Sequence, residues 1–190
     1  RSLLVSILVT VIGTIINLFF TTTMAYGLSR SDLKGKKFLL NMVLFTMVVN
    51  GGMIPTFLLV KSLGMYDTYS ALIFPGAISA YNMLIVRNFF MELPRELEEA
   101  ASIDGCSDIG IFVKIALPLS MPCLATFGLF YAVGHWNNYF GALLYLDDQK
   151  KYPFQLVLRN IVMQSQDTSS NADQELPSDT LKMASIVIGT

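Results

Sequence analysis

Long apolar stretches alternate with short polar stretches along the chain. Residues 2–28 carry no charged side chain. A helix of that length is about 40 Å long, which exceeds the roughly 30 Å hydrocarbon core of a bilayer. Similar apolar segments cover residues 38–60, 69–90 and 109–133, and a shorter one covers 181–190. Only helices and closed barrels satisfy their backbone groups in lipid, and segments of this length predict an all-α, polytopic membrane protein.

Glycine and proline interrupt the second and third segments. Both residues weaken a helix, and irregular backbone at membrane depth is tolerated only where protein covers it or a cavity adjoins it. We therefore predict a translocation path near these breaks and near a few polar and aromatic side chains. The candidate path residues are Asn50, Gly51, Gly52, Pro55, Pro75, Asn82, Trp136 and Asn137. The alternative stays open that the asparagines join neighbouring helices and that the tryptophan belongs to an interfacial belt.

Composition narrows the class of protein. Of 190 residues, 53% are hydrophobic and 14% are charged, and the formal net charge is −1. These values exclude a disordered chain and a nucleic-acid binder that relies on basic charge. Cys106, Cys123 and His135 do not have the spacing of a metal site, so we predict no metal and two free thiols. His135 is interpreted as a polar residue at the membrane interface.

Basic residues predict the orientation of the segments. Four Lys or Arg residues lie within residues 29–37, and only one lies within 61–68. The positive-inside rule therefore places 29–37 in the cytoplasm. Alternation then places 91–108 inside, and 61–68 and 134–180 outside, with 147–180 interpreted as a long polar loop. The chain begins at Arg1 and stops within an apolar run, so we expect one transmembrane domain, residues 1–190, truncated at one or both ends.

A short helix is predicted within the cytoplasmic stretch 91–108. Pro94 suits a first helical position, and Glu96 and Glu98 favour the positive end of the helix dipole. Gly105 suits the left-handed residue that ends a helix. On these grounds alone the helix is either an ordinary interfacial linker or an element that docks into a partner's groove.

The same stretch carries a motif. Glu99-Ala100-Ala101, three residues, Gly105, nine residues, Ile115, one residue and Leu117-Pro118 match the pattern EAA-x3-G-x9-I-x-LP. This pattern resembles the signature of bacterial ABC importer permeases. Further stretches resemble the carbohydrate importers of the maltose type, in particular the second permease of the oligosaccharide and aldouronate-type branch: Gly52-Met53-Ile54-Pro55-Thr56, Asn82, Arg87-Asn88-Phe89-Phe90, Leu93 to Glu99, and Trp136-Asn137.

The resemblance implies a type I ABC importer transmembrane domain in the bacterial cytoplasmic (inner) membrane. Its partners would be a second permease, an ABC ATPase dimer, an extracytoplasmic sugar-binding protein that contacts 147–180, and the lipid bilayer, with no nucleic acid. The sequence has no GxxxxGK[ST] motif, so we expect no enzyme activity and no cofactor on this chain, with ATP bound and hydrolysed by the separate ATPase.

The resemblance also implies residue roles. Glu99 would pair with a basic group of the ATPase, and Ala100 and Ala101 would let the ATPase approach closely. Gly105 would form the turn, and Leu117-Pro118 would pack behind it and start the next span. The implied ATPase-coupling residues are Glu99, Ala100, Ala101, Asp104, Gly105, Ile115, Leu117 and Pro118.

Other classes of transporter remain as alternatives. An ABC permease for another solute would share the coupling motif. An ion-coupled secondary transporter would normally place ionisable residues inside its spans, and the first two predicted spans contain none.

Overall fold

The computed structural model describes residues 1–30, 33–49 and 51–169, with side chains as far as Met163. Asn50 and the predicted last span, 181–190, lie outside the described residues. The described part contains helices and no strand. The helices are α1 (Ser2–Ser29), α2 (Lys36–Val48), α3 (Met53–Ser62), α4 (Ser70–Ile73), α5 (Ala80–Met91), α6 (Arg95–Ile103), α7 (Asp108–Ile111), α8 (Leu117–Leu119), α9 (Met121–Trp136), α10 (Tyr139–Tyr145) and α11 (Phe154–Ser169).

Helix α1 is the one described helix that is long and apolar enough to cross a membrane unaided. Three bent pairs pass the same test when each pair is taken together, which gives up to 4 candidate crossings in the described part. The first pair, α2 and α3, is separated by residues 49–52, where the sequence predicts a kink or a break. The second pair bends by 55° between a 3₁₀ turn, Phe74–Gly76, and α5.

The fourth predicted segment, 109–133, is divided in a way that the sequence analysis does not foresee. Its first helical stretch begins at Asp108, where Ser107 Oγ accepts the Gly110 N–H at 3.2 Å. It ends at Leu119 and meets α9 at an angle of 80°. Pro122 supplies no N–H to continue the helical hydrogen bonds across the bend at Ser120.

The predicted external loop 134–180 is also more ordered than expected. It contains α10 and α11, and Leu156 of α11 is fully buried in the core. The backbone N–H of Phe154 donates to Ser6 Oγ at 2.8 Å, which fixes the start of α11 against α1. The interpretation of 147–180 as a loop is therefore wrong for Phe154–Ser169, because a short apolar run precedes the polar residues.

Helix α1 is the element on which α5 and α9 pack. One apolar core surrounds its first turns and another surrounds its last turns. We call these the Ser6 end and the Arg30 end. The described residues of the predicted external stretches contribute to the Ser6 end, while 29–30, 33–37 and 91–108 meet at the Arg30 end. Which end faces the cytoplasm stays a prediction from the basic residues.

The close contact of α1 with α9 depends on Gly13. A Cβ atom at Gly13 would lie 2.6 Å from Nε2 of His135, and the whole ring edge of His135 faces that position. His135 Nε2 is buried without a hydrogen-bond partner among the described residues. The interpretation of His135 as an interfacial residue is therefore wrong, because its ring packs inside the bundle against a glycine.

At the Ser6 end, Asp67 joins two segments that are far apart in sequence. Its N–H donates to the Tyr145 carbonyl at 2.9 Å, and its Oδ1 accepts the N–H groups of Asp147 and Asp148, each at 3.1 Å. Lys151 Nζ donates to the Asp67 carbonyl at 2.7 Å and pairs with Oδ2. The Lys151 ammonium, and after it the two backbone N–H donors, lower the pKa of Asp67 below its ordinary value.

We predict that Gly13→Ala lowers the stability of the protein by about 1–3 kcal/mol, because the added methyl group must displace the His135 ring. The control is Gly27→Ala on the same helix, where a Cβ meets nothing within 4 Å. That change should be neutral or stabilising by up to about 1 kcal/mol. The measurement is the melting temperature in detergent, and equal shifts for the two variants would contradict the packing argument.

We predict that Asp67→Asn lowers the melting temperature at neutral pH and removes part of its acid sensitivity. Asparagine tolerates the left-handed backbone at this position, φ 56°, but it cannot pair with Lys151. Folding lowers the pKa of Asp67. Its contribution to the stability of the folded protein is therefore present above about pH 4, and it is lost as the pH falls through the pKa that Asp67 has in the folded protein. The difference in melting temperature between the wild type and Asp67→Asn should therefore decrease below about pH 4. A difference in melting temperature that does not change with pH would contradict this prediction. So would an equal decrease of the melting temperature in the control Asp104→Asn, at an exposed position.

Candidate functional site

The predicted docking helix is present as α6 and ends in a tight turn. The Cys106 N–H donates to the Ala101 carbonyl at 2.9 Å, and the Gly105 N–H donates to the Ser102 carbonyl at 3.1 Å. Gly105 has φ +80°. This pair of bonds around a left-handed glycine is the Schellman motif, which satisfies the last carbonyls of a helix. The turn reverses the chain and leads it into α7.

Helix α6 presents different residues to the bundle and to the outside. Ala101 is buried within the chain and Glu98 is half-buried. Glu99, Ala100 and Ile103 are exposed, with Ile103 87% exposed. Exposed Asp104 closes the helix as its C-cap. The expectation that Ala101 lies on the partner surface together with Ala100 does not match this placement, because successive residues are about 100° apart around a helix.

The turns of α1 at the Arg30 end are held by cations from two other helices. Arg87 Nε donates to the Leu28 carbonyl at 2.9 Å. Lys36 Nζ donates to the Ser29 carbonyl at 3.0 Å and to the Arg30 carbonyl at 2.8 Å. Cations at the carboxyl end of a helix also complement its dipole. Arg30 itself forms an ion pair with Glu98 of α6.

The downstream part of the motif lies on the helical stretch that follows the turn. Ile115 is half-buried in a π-helical turn, Phe112–Ala116, and Leu117 is half-buried just after it. Pro118 is exposed and lies one residue before the end of this stretch. The expectation that Pro118 starts the span is wrong, because Ser107 caps the helix eleven positions earlier in the chain.

An open cavity of about 590 Å³ lies between α1, α3, α4, α9 and α10. Its lining combines residues at the breaks, Gly52 and Pro75, with the polar residues Asn17 of α1, His135 of α9 and Asn138, the N-cap of α10. Asn17 is 3% exposed, and its amide donates to the Gly76 carbonyl at 3.3 Å while its Oδ1 has no partner among the described residues.

The cavity brings together only part of the predicted path. Gly52 and Pro75 line it, whereas Gly51, Pro55, Asn82, Trp136 and Asn137 are not among the described residues of its lining. The path residues themselves remain a prediction. Sequence reasoning missed Asn138 and gave Asn17 no special weight. The spacing of Thr10, Thr14 and Asn17, which places them on one face of α1, is the signal that could have singled out this face.

The fold is that of an ABC importer transmembrane domain. The crystal structure of a bacterial ABC transporter that imports the acidic polysaccharide alginate matches with a TM-score of 0.90 and 32% sequence identity. The match covers 99% of this chain and 69% of that chain. A family model for the inner membrane component of binding-protein-dependent transport systems matches residues 2–188. The chain belongs to this family, whose role is transport with a binding protein.

Two similar proteins come from Bacillus subtilis (strain 168). Protein LplC is 56% identical over 194 residues, which cover 100% of this chain and 66% of LplC. The polygalacturonan/rhamnogalacturonan transport system permease protein YtcP is 54% identical, over 100% of this chain and 68% of YtcP. The chain thus spans about two thirds of the length of these relatives. The family assignment favours an ABC permease over the ion-coupled alternative.

We predict that Gly105→Ala weakens co-purification of the transporter's ATPase, because a side chain at positive φ costs about 1–2 kcal/mol and displaces α6. The matched control is Gly64→Ala. Gly64 has φ +70°, and a Cβ there also meets nothing within 4 Å. It follows α3 at the Ser6 end. The control should lose similar stability and still retain the ATPase. Equal retention in both variants would show that the α6 turn is not part of the coupling site.

Proposed function

We propose that this chain is a permease subunit of an ATP-driven importer that moves a carbohydrate, of oligosaccharide or polysaccharide origin, across the bacterial inner membrane as a multi-pass protein. Support for the substrate class comes from relatives. YtcP is named for polygalacturonan and rhamnogalacturonan, and a relative from Bacillus subtilis that is 30% identical over 151 residues is named for arabinooligosaccharides. The alginate importer has the same fold.

The observation that carries the coupling role is the outer face of α6. Ile103 is 87% exposed and Ile109, just beyond the turn, is 75% exposed. Ile103 lies in the predicted cytoplasmic stretch 91–108 and Ile109 is the first residue of the predicted span that follows, so water rather than lipid would surround Ile103 in the isolated chain. Exposed apolar residues beside a charged group mark a protein contact. We assign this face, with Glu99 and Ala100 at its centre, to the ATPase subunit that binds and hydrolyses ATP.

The 590 Å³ cavity is proposed as part of the translocation path. An unsatisfied amide oxygen in a low-dielectric environment costs free energy unless water or a ligand reaches it. Asn17 Oδ1 is such an atom, and sugar hydroxyls are suitable donors. The breaks at Gly52 and Pro75 adjoin the same space, as irregular backbone at membrane depth requires. A second permease would complete the path.

The binding protein is proposed to dock at the Ser6 end. Stretches 61–68 and 134–169 meet there, and the bonds of Asp67 hold their connecting turns together. A fixed outer surface is what a soluble partner needs in order to deliver sugar at a defined position. Residues 170–180, which belong to the predicted contact loop, lie outside the described part.

The test is ATP hydrolysis by the intact transporter, reconstituted from the full-length chain with its co-purifying permease, ATPase and binding protein. We expect one sugar in a panel that includes acidic oligosaccharides to stimulate hydrolysis. Glu99→Ala should reduce that stimulation by about tenfold or more, as when one partner of an interfacial charge pair is truncated. The control is Glu92→Ala, an exposed carboxylate just before α6.

Two outcomes would contradict the proposal. Stimulation only by amino acids or phosphate would exclude the carbohydrate assignment. Uptake that follows an ion gradient, with no ATPase attached, would exclude the ATP-driven class.

A further inference from the structure

Adjacent glutamates on α6 point in different directions. Glu99 is exposed, whereas the Glu98 side chain is 20% exposed and forms an ion pair with Arg30, whose side chain is 29% exposed. Arg30 lies immediately after α1 and is 68 positions away from Glu98 in sequence. The ion pair therefore joins the predicted docking helix directly to the long central span.

Tyr26 orients the Arg30 guanidinium. The guanidinium lies over the Tyr26 ring, 4.7 Å from its centroid, and Nη2 donates to the Tyr26 hydroxyl. Tyr26 is one helical turn before Arg30, so both groups move with the end of α1. A planar guanidinium held on one side by an aromatic ring has less freedom to lose when it binds a carboxylate.

The Tyr26 ring is in turn enclosed by the two chain segments that flank α6. Phe90, near the end of α5, lies 5.6 Å from it between ring centroids, in an edge-to-face arrangement. Phe112, at the start of the π-helical turn, lies 4.6 Å away. The end of α1 is therefore held by residues before, within and after the docking helix.

From this geometry we infer that the Arg30–Glu98 ion pair, positioned by Tyr26, transmits the displacement of α6 to α1. The inference rests on the proposed function and deepens it. When α6 moves, either the ion pair separates or α1 follows. Separation leaves two charges partly desolvated, which is unfavourable. Helix α1 follows, and because α9 packs on it and both helices line the 590 Å³ cavity, these two walls of the cavity move together. Glu98 and Arg30 are thus positioning residues, distinct from the contact residue Glu99.

The experiment measures sugar uptake and ATP hydrolysis together in the reconstituted intact transporter. Glu98→Gln removes the charge but keeps the shape of the side chain. We expect the ATPase to remain bound and active while the amount of sugar imported per ATP falls by about tenfold, the effect of losing one coupled charge pair. The control is Glu96→Gln, an exposed carboxylate on the same helix, which should leave this ratio unchanged.

A charge exchange separates transmission from folding. Arg30→Glu and Glu98→Arg should each reduce the ratio of sugar to ATP, and the double variant should recover about threefold or more over either single variant, because the two charges act as a pair. If Glu98→Gln imports as much sugar per ATP hydrolysed as the wild type does, the inference is overturned. Loss of ATPase binding in Glu98→Gln, or the absence of recovery in the double variant, would also overturn it.

The wild-type measurement distinguishes this inference from the proposed function. Wild-type transporter that shows no sugar-stimulated hydrolysis would refute the proposed function itself. Wild-type transporter that couples normally, together with a Glu98→Gln variant that does the same, would refute the role of the ion pair alone.

Discussion

The carbonyl groups at the end of α1 impose the constraint on which the Arg30 end depends. The last carbonyls of a helix have no intrahelical donor, and at the edge of an apolar bundle they must find one elsewhere. Arg87 from α5 and Lys36 from α2 supply these donors. Satisfying the same helix end from two other helices fixes all three together. It also leaves the Arg30 side chain available, since other cations bond the carbonyls.

The two ends of the molecule are held by different means. At the Ser6 end, Asp67 accepts hydrogen bonds from two backbone N–H groups and from the Lys151 ammonium. These local, directional bonds fix the turns there to each other. At the Arg30 end, the described residues of α6 include one buried residue, Ala101, and one member of an ion pair, Glu98. A short helix with few buried side chains needs to break few contacts to shift, which is the property that the proposed coupling role requires of α6.

Sequence reasoning succeeds where a local rule determines the structure. Apolar length predicts the helical segments, Gly105 predicts the turn after α6, and the glycines before Pro55 predict the break between α2 and α3. It fails where the outcome depends on distant packing. The 80° bend at Ser120, the inward position of Ala101 and the contact between His135 and Gly13 each need a partner that the sequence does not identify. Helix α11 was missed because its polar second half outweighed the apolar residues at its start.

The pair Glu98 and Glu99 shows how a helix of 9 residues can serve two neighbours at once. Residues one position apart on a helix point about 100° apart, so a carboxylate that faces the bundle cannot be the one that faces a partner. A single acidic residue could be engaged on only one side, and a force applied there would reach the span only through backbone. With two adjacent acids, one can bind outside while the other remains bound to Arg30. The rigid helical turn between them then links a partner's surface to the Arg30 guanidinium, which Tyr26 holds at the end of α1.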